Sequence, residues 1–294
     1  MEVLLLSISS PIMGLFIVIE MLYSALFKKK LYEGRDTAVS LLCTSLNFIN
    51  DLAFRVVTLS VLTWIFDSGL QMFADRGVEY WIMLFLAQDF AYYVLHCADH
   101  YCRIFWAMHV THHSSEKFNL AVAIRSSVFQ PYYRVLFFMP LALIGFRALD
   151  IVFMYAATQV YGFWVHTETI GKLPKWFEFI FVTPSHHRVH HASNVEYLDS
   201  NMGMVLIIWD RIFGTFKEEL PGIKPRFGLT KNIHTYHPIK VVFHEWQSIM
   251  QDLKQSPNWK TAFNYLVKPP GWSHNGKSLT AKQMREQQLK KQSY

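Results

Sequence analysis

Charge is what this 294-residue chain has least of: Asp, Glu, Lys and Arg make up 17% of it, against 52% apolar and 16% aromatic residues. A soluble domain carries about 25% charged residues, so an ordinary water-facing surface is excluded for much of the chain. Cysteine is scarce too. Cys43, Cys97 and Cys102 are odd in number and lack a paired framework, which suits a reducing compartment, and Cys97 reads as a packing residue. There is no Gly-rich phosphate loop, no Ser, Cys or Lys stands out as a nucleophile, and nothing matches a nucleic-acid module, which excludes nucleic acid as a partner.

In place of charge there are long apolar runs. Residues 3–27 carry only Glu20 before Lys28 and are long enough to span about 30 Å of hydrocarbon. Met1 and Glu2 give this segment no basic start and no small-residue cleavage site follows, so it is expected to be retained. Residues 41–66 are apolar but interrupted by Asn47, Asn50, Asp51 and Arg55. They fit either one span, with Asp51 and Arg55 paired four residues apart, or an interfacial helix followed by a shorter segment. A third span is expected near 80–97. Residues 130–165, punctuated by Pro140, Gly145, Arg147 and Asp150, fit a helical hairpin whose ends return to one side. Lys28, Lys29, Lys30 and Arg35 flank the first loop and only Arg76 the second, so the positive-inside rule puts the first loop, and with it the end of the third span, in the cytoplasm.

Histidine is concentrated where that third span ends. Ten of 14 histidines lie between His96 and His191, and eight form three clusters: His96-x-x-x-His100, His109-x-x-His112-His113 and His187-x-x-His190-His191. On a helix, spacings of three and four share a face, so each cluster is expected to aim its imidazoles at a common point. Eight imidazoles exceed the four that close a structural zinc site. Two ions within about 4 Å of each other, acting on one substrate atom, account for them economically. Imidazole alone does not name the metal, but two redox-active ions at a bilayer suit dioxygen activation and attack on the C–H bonds of a lipid. Asp89, Tyr93, His96 and His100 form one stripe of the third helix and tie the site to the membrane interior. His234, His237, His244 and His274 lack cluster spacing and read as ordinary surface or interface residues.

Over about residues 89–216 the chain resembles the membrane-bound fatty acid hydroxylase and sterol desaturase superfamily, in the order and separation of its clusters and in the isolated His166. The stretches 111–116 (THHSSE), 164–168 (WVHTE), 183–191 (TPSHHRVHH) and 209–214 (WDRIFG) look most like its glyceryl-ether monooxygenases. The resemblance implies an O2-dependent di-iron lipid hydroxylase that attacks the carbon beside an ether oxygen, with two Fe2+ ions, O2 as co-substrate and a reduced pterin as electron source. It implies iron ligation by His96, His100, His109, His112, His113, His187, His190 and His191, with His166 as a ninth ligand. His186 is expected just outside the ligand set, as a donor to it. Asp89, Glu168 and Asn201 are candidates for orienting ligand imidazoles, a structural hydrogen bond being the alternative for each. The first cluster, His96-Cys97-Ala98-Asp99-His100-Tyr101, departs from that branch, which tends to have arginine after the first histidine and glutamate after the second.

The expected fold is all-α: a multi-pass membrane helical bundle with a cytoplasmic helical cap carrying a histidine-rich dimetal site. Residues 1–218 form the membrane-embedded hydroxylase core, with histidine clusters at 96–113 and 186–191. Residues 219–294 form a polar, Lys-rich cytoplasmic tail of the same functional unit, with helical patterns near 240–254 and 280–290, and its basic flanks suit anionic headgroups. No haem-binding or iron-sulfur reductase domain is recognisable, so electrons are expected from a separate donor: a reductase, ferredoxin, haem protein or reduced pterin. A desaturase or sterol C4-methyl oxidase with the same centre is the nearest alternative. A membrane metal transporter or sensor is the alternative of another class, but it would place its ligands along a path near the midplane.

Overall fold

A computed structural model describes residues 1–292, and the described residues are helical, with isolated antiparallel bridges at Phe181–Leu206 and Ala192–Phe227 and no strands. The first three helices are long and apolar enough to cross a membrane: α1 (Glu2–Leu26), α2 (Gly34–Asp67) and α3 (Val78–Tyr101). This is an integral membrane protein. Helix α1 shows what lipid as solvent does to a sequence pattern: Leu4, Ile8, Leu15 and Leu22 face outward, and the buried positions are Ser9, Glu20 and Ser24. In hydrocarbon the polar groups must find partners inside the protein. Glu20 finds three, accepting from Tyr32 Oη at 2.5 Å, from Leu120 N at 2.8 Å and from Thr167 Oγ1.

Helix α2 is continuous through the interrupted segment, which favours the single-span reading of residues 41–66. At roughly 51 Å its 34 residues exceed the hydrocarbon thickness, and the polar residues are consumed by packing. Arg55 pairs with Asp51 at 2.7 Å and Glu2 at 2.6 Å, while Asn47 and Asn50 donate to the carbonyls of Ser127 and Val128. Helix α4 (Arg103–His113) follows α3 after Cys102 alone, and α5 (Leu120–Ala123) is one turn capped by Asn119.

The hairpin is formed by a 3-10 turn (Gln130–Tyr132), α6 (Val135–Ile144) and α7 (Ala148–Trp164). Its tip meets the loop between α2 and α3, with Leu70 N and Met72 N donating to the carbonyls of Leu143 and Ile144. Gly145 turns the corner at φ +124°, where a Cβ would lie 2.7 Å from Met72 N. Asp150 fastens the tip by accepting from Arg76 at 2.6 Å and Tyr80 at 2.9 Å. The short α6 therefore reaches the far loop by borrowing length from residues 130–134.

The other end carries α8 (Lys175–Ile180), α9 (Pro184–His190) and α10 (Ile208–Phe213), followed by α11 (Pro238–Lys254), α12 (Trp259–Val267) and α13 (Ala281–Gln292). Helix α12 was not among the tail patterns expected. Arg103 at the start of α4 is gripped by α11 through Glu245 (2.7 Å), Asp252 (2.6 Å) and Ser248 (3.0 Å).

Candidate metal centre

Thr183 and Pro184 start α9 as a capping residue and a first-turn proline should, with Thr183 Oγ1 accepting from His186 N. The helix is held by Arg188, which donates to Glu219 at 2.9 Å and to the carbonyls of Thr167 and Ile170. Helix α4 is held by Arg125, 1% exposed, whose guanidinium donates to Thr111 O (2.9 Å), Ser114 Oγ (3.0 Å) and Asp36 Oδ1 (3.0 Å). These two clamps bring the second and third clusters against the end of α3.

Nine histidines meet there in two groups. His96, His100, His109, His113 and His190 form one, and His112, His166, His187 and His191 the other, each with one ring nitrogen per residue inside a 4.8 Å sphere of mutual distances. The clusters do not each converge on one point, as the spacing had suggested. Pairs four apart stay together: 96 with 100, 109 with 113, 187 with 191. The remaining members cross over, because adjacent helical residues diverge by about 100°, which sends His112 away from His113 and His190 away from His191. The groups touch through ring contacts at 4.4 Å between His113 and His191 and 5.2 Å between His187 and His190.

Hydrogen bonding fixes which nitrogen five of the nine rings offer. The Nδ1 atoms of His96, His112, His166 and His190 face the carbonyls of Met202 (2.8 Å), Arg125 (3.2 Å), Gly162 (2.6 Å) and Ser200 (3.0 Å). His100 Nδ1 faces the Asp199 carboxylate at 3.2 Å. Such oxygens only accept, so Nδ1 must carry the proton and Nε2 is left with a bare lone pair. His112 and His166 then point Nε2 at each other across 3.3 Å with no proton between them, and the buried Nε2 atoms of His100, His190 and His191 meet no partner. Lone pairs so arranged call for a cation. Nitrogens bound to one ion at about 2.1 Å sit roughly 3 Å apart when at right angles, and His96–His109, His113–His109 and His187–His166 are separated by 3.2, 3.2 and 2.8 Å. The residues present fit metal ions.

The orienting groups are different from those expected. Asp89 accepts from Val205 N, Leu206 N and Trp209 Nε1, each at 3.0 Å, and so anchors the 205–209 segment to α3. Asn201 donates to the carbonyls of His186 and Lys217 and accepts from Lys217 N. Both are structural hydrogen bonds. Glu168 faces Lys224, Arg188 and Lys117, and His186 packs on Phe216 at 5.5 Å, its Nδ1 unpartnered and outside both groups. The side chains that do meet imidazoles are Asp199, Ser127 (3.2 Å from His109 Nδ1) and Asp99 (3.5 Å from the same atom). Asp99 had a visible signal, a carboxylate inside the first cluster, whereas backbone carbonyls leave none.

Burial first, then the charge of neighbouring imidazoles, holds His109, His113, His187, His190 and His191 well below the ordinary 6.5, and burial lowers His186 to about 4. Neutral imidazole is the ligating form. Below about pH 6.5 the unfolded chain takes up protons that the folded one refuses, so the metal-free protein loses stability as pH falls, by up to about 1.4 kcal/mol per imidazole per pH unit. For His186 this window runs from about pH 6.5 to about pH 4. Thermal unfolding of metal-free protein in detergent should give a lower Tm at about pH 5 than at about pH 7; an equal or higher value contradicts the buried, neutral state of these rings.

The sequence profile of the fatty acid hydroxylase family matches residues 81–215. The chain is 38% identical to an alkylglycerol monooxygenase from Homo sapiens over 267 residues, 90% of this chain and 59% of the relative. It is 36% identical to one from Xenopus tropicalis over 88% of this chain and 57% of the relative. An ornithine lipid hydroxylase from Rhizobium tropici is 28% identical over 129 residues, 44% of this chain and 39% of the relative. The chain thus spans somewhat more than half the length of the alkylglycerol monooxygenases it matches. No solved structure matches it. The segment that carries all nine converging histidines, residues 81–215, is a domain of the fatty acid hydroxylase family.

Proposed function

We propose that this chain is a membrane-bound, non-haem di-iron monooxygenase that hydroxylates an aliphatic carbon of a lipid, the carbon beside the ether oxygen of an alkylglycerol being the preferred target. The similarity to alkylglycerol monooxygenases supports the substrate. The observation that carries the metal centre is the pair of converging imidazole groups, in which His96, His100, His112, His166 and His190 turn Nδ1 to oxygen acceptors and leave Nε2 bare. In this reading the five-membered group holds one iron and the four-membered group the other. When bound, the two irons supply dioxygen activation, with the overall balance R–H + O2 + 2 e− + 2 H+ → R–OH + H2O. The chain's own part is orientation: Met202, Ser200, Gly162 and Arg125 carbonyls and the Asp199 carboxylate hold the rings and keep their inner nitrogens free.

A cavity of about 670 Å³ opens beside His100, His113, His190 and His191, under a roof formed by residues of 228–248 and 270–284. We assign it as the chamber where the reacting lipid carbon approaches. Residues from 219 onward belong to the same unit in this reading, since Glu219 braces α9 and α11 grips Arg103. The centre is assigned to the cytoplasmic face by the lysines that follow α1, and electrons come from a separate donor. The test uses the full chain purified in detergent and reconstituted anaerobically with Fe2+. The expected result is about two irons per chain and oxygen uptake that requires both an alkylglycerol and a reductant such as a reduced pterin. Fewer than one iron per chain, or no lipid-dependent oxygen uptake by the iron-loaded protein with any reductant class, contradicts the proposal.

A further inference from the structure

The chamber beside His100 shares a wall with a second, larger cavity. Ser193, Leu229, Thr230 and Asn232 line both, and the second, about 1100 Å³, reaches the end of α1. Its charge is one-sided. Lys29, Lys30, Lys117, Lys224 and Arg226 line it against only two carboxylates, Glu116 and Glu168, and Glu116 is already within 3.3 Å of His234. The side chains of Lys29, Lys30 and Arg226 enter no hydrogen bond or ion pair among the described residues, and Lys224, which enters none either, faces Glu168 together with Lys117. Lys117 donates once, to Lys30 O at 3.1 Å, which leaves two of its three donors.

The segment after α1 is also bent to present its lysines. Lys28 and Lys30 sit in the left-handed region at φ +52° and +56°, which costs backbone energy in any residue with a Cβ. The bend is held by Lys29 N donating to Ser24 O (2.9 Å), Leu31 N to Ser24 Oγ (3.0 Å) and Asn119 Nδ2 to Leu31 O (2.7 Å). Since α1 is a spanning helix, its end lies at the level of lipid headgroups. The groove is also close to the histidines. Phe227 lines it and stacks on Phe118 at 4.8 Å, and Phe118 in turn stacks on His166 at 5.6 Å and lies 5.1 Å from His191.

We propose that this groove binds the phosphate of a phospholipid headgroup and holds that lipid with its chains beside the histidine centre, so that phosphate-bearing lipids belong to the enzyme's substrate class. The second half rests on the lipid-oxidation reading above, whereas the binding site does not. Several ammonium and guanidinium donors around one cavity suit the acceptor oxygens of a phosphate, and a neutral glycerol headgroup gives them no counter-charge.

The experiment titrates the iron-loaded full chain in neutral detergent with dioctanoyl phosphatidic acid, with dioctanoylglycerol and with inorganic phosphate, reading tryptophan fluorescence. Phosphatidic acid should bind well above dioctanoylglycerol and weaken with salt, and inorganic phosphate at equal concentration should not displace it. Combining Lys117→Gln, Lys224→Gln and Arg226→Gln should weaken phosphatidic acid roughly 100-fold, at about fivefold per basic residue, and leave dioctanoylglycerol unchanged, which also reports that the variant is folded. Equal affinity for the two lipids, an unaffected variant, or displacement by inorganic phosphate overturns the proposal. Because binding is read without turnover, a protein that binds phosphatidic acid in this way yet takes up no oxygen with any lipid overturns the oxidation reading and leaves the site standing.

Discussion

Replacing His109 with alanine should remove one iron ion, and replacing His112 should remove the other, although the two residues are one turn apart on α4. His109 belongs with His96, His100, His113 and His190, and His112 with His166, His187 and His191. Each variant should retain about one iron per chain, and the combined variant almost none. Turnover should fall at least about 100-fold in either single variant, since loss of even an orienting partner of a metal ligand costs 10–100-fold. His186→Ala is the control: this ring is as buried as its neighbours but belongs to neither group, so iron content should stay at about two. Metal analysis of the purified variants checks all of this. Loss of both irons from each single variant, or loss of iron from His186→Ala, would contradict the division into two groups.

Arg125→Ala is expected to have the largest effect on stability. Its guanidinium is enclosed, and Asp36, 4% exposed, depends on it and on Ser115 Oγ at 2.7 Å. Removing the arginine leaves a buried carboxylate without its counter-charge, which costs about 3–5 kcal/mol. The same residue positions His112 through its backbone carbonyl, so the four-membered group should loosen as well. Lysine should rescue little, because one ammonium cannot reproduce the planar fork that reaches Thr111, Ser114 and Asp36 together. The double variant Arg125→Met with Asp36→Leu should recover much of the lost stability, as replacement of a buried ion pair by apolar groups commonly does. Denaturant or thermal unfolding of metal-free protein in detergent measures the cycle. A single variant within 1 kcal/mol of the parent, about the worth of a surface pair, would mean that the clamp is solvated.

Much of this organisation is written locally in the sequence. Apolar length alone gave the spans, a punctuated apolar run gave the hairpin, and the spacing of four paired His96 with His100, His109 with His113 and His187 with His191. The crossing over of His112 and His190 was not legible, because it depends on how α4 and α9 face each other, which the buried arginines Arg125 and Arg188 set across more than 10 residues of sequence. Most orienting partners were hidden for a different reason: every residue has a carbonyl, so nothing marks those of Met202, Gly162 or Ser200. Asp89 drew attention as a charge in a membrane helix and proved to be an anchor for backbone N–H groups of a distant loop. Glu20 was the mirror case, noted only as the lone charge of residues 3–27, yet its carboxylate joins Tyr32, Leu120 and Thr167 next to His166.

The central proposal, that one atom of dioxygen enters a lipid C–H bond at a centre where these histidines would hold two irons, is tested most directly by isotope labelling. Iron-loaded protein, an alkylglycerol and a reductant are incubated under labelled O2, and the lipid product is analysed by mass spectrometry. One labelled oxygen atom is expected in the lipid product, carried into the fragment formed if the ether carbon is the one attacked. A product that has lost two hydrogens and gained no oxygen, or one whose added oxygen comes unlabelled from water, would contradict it.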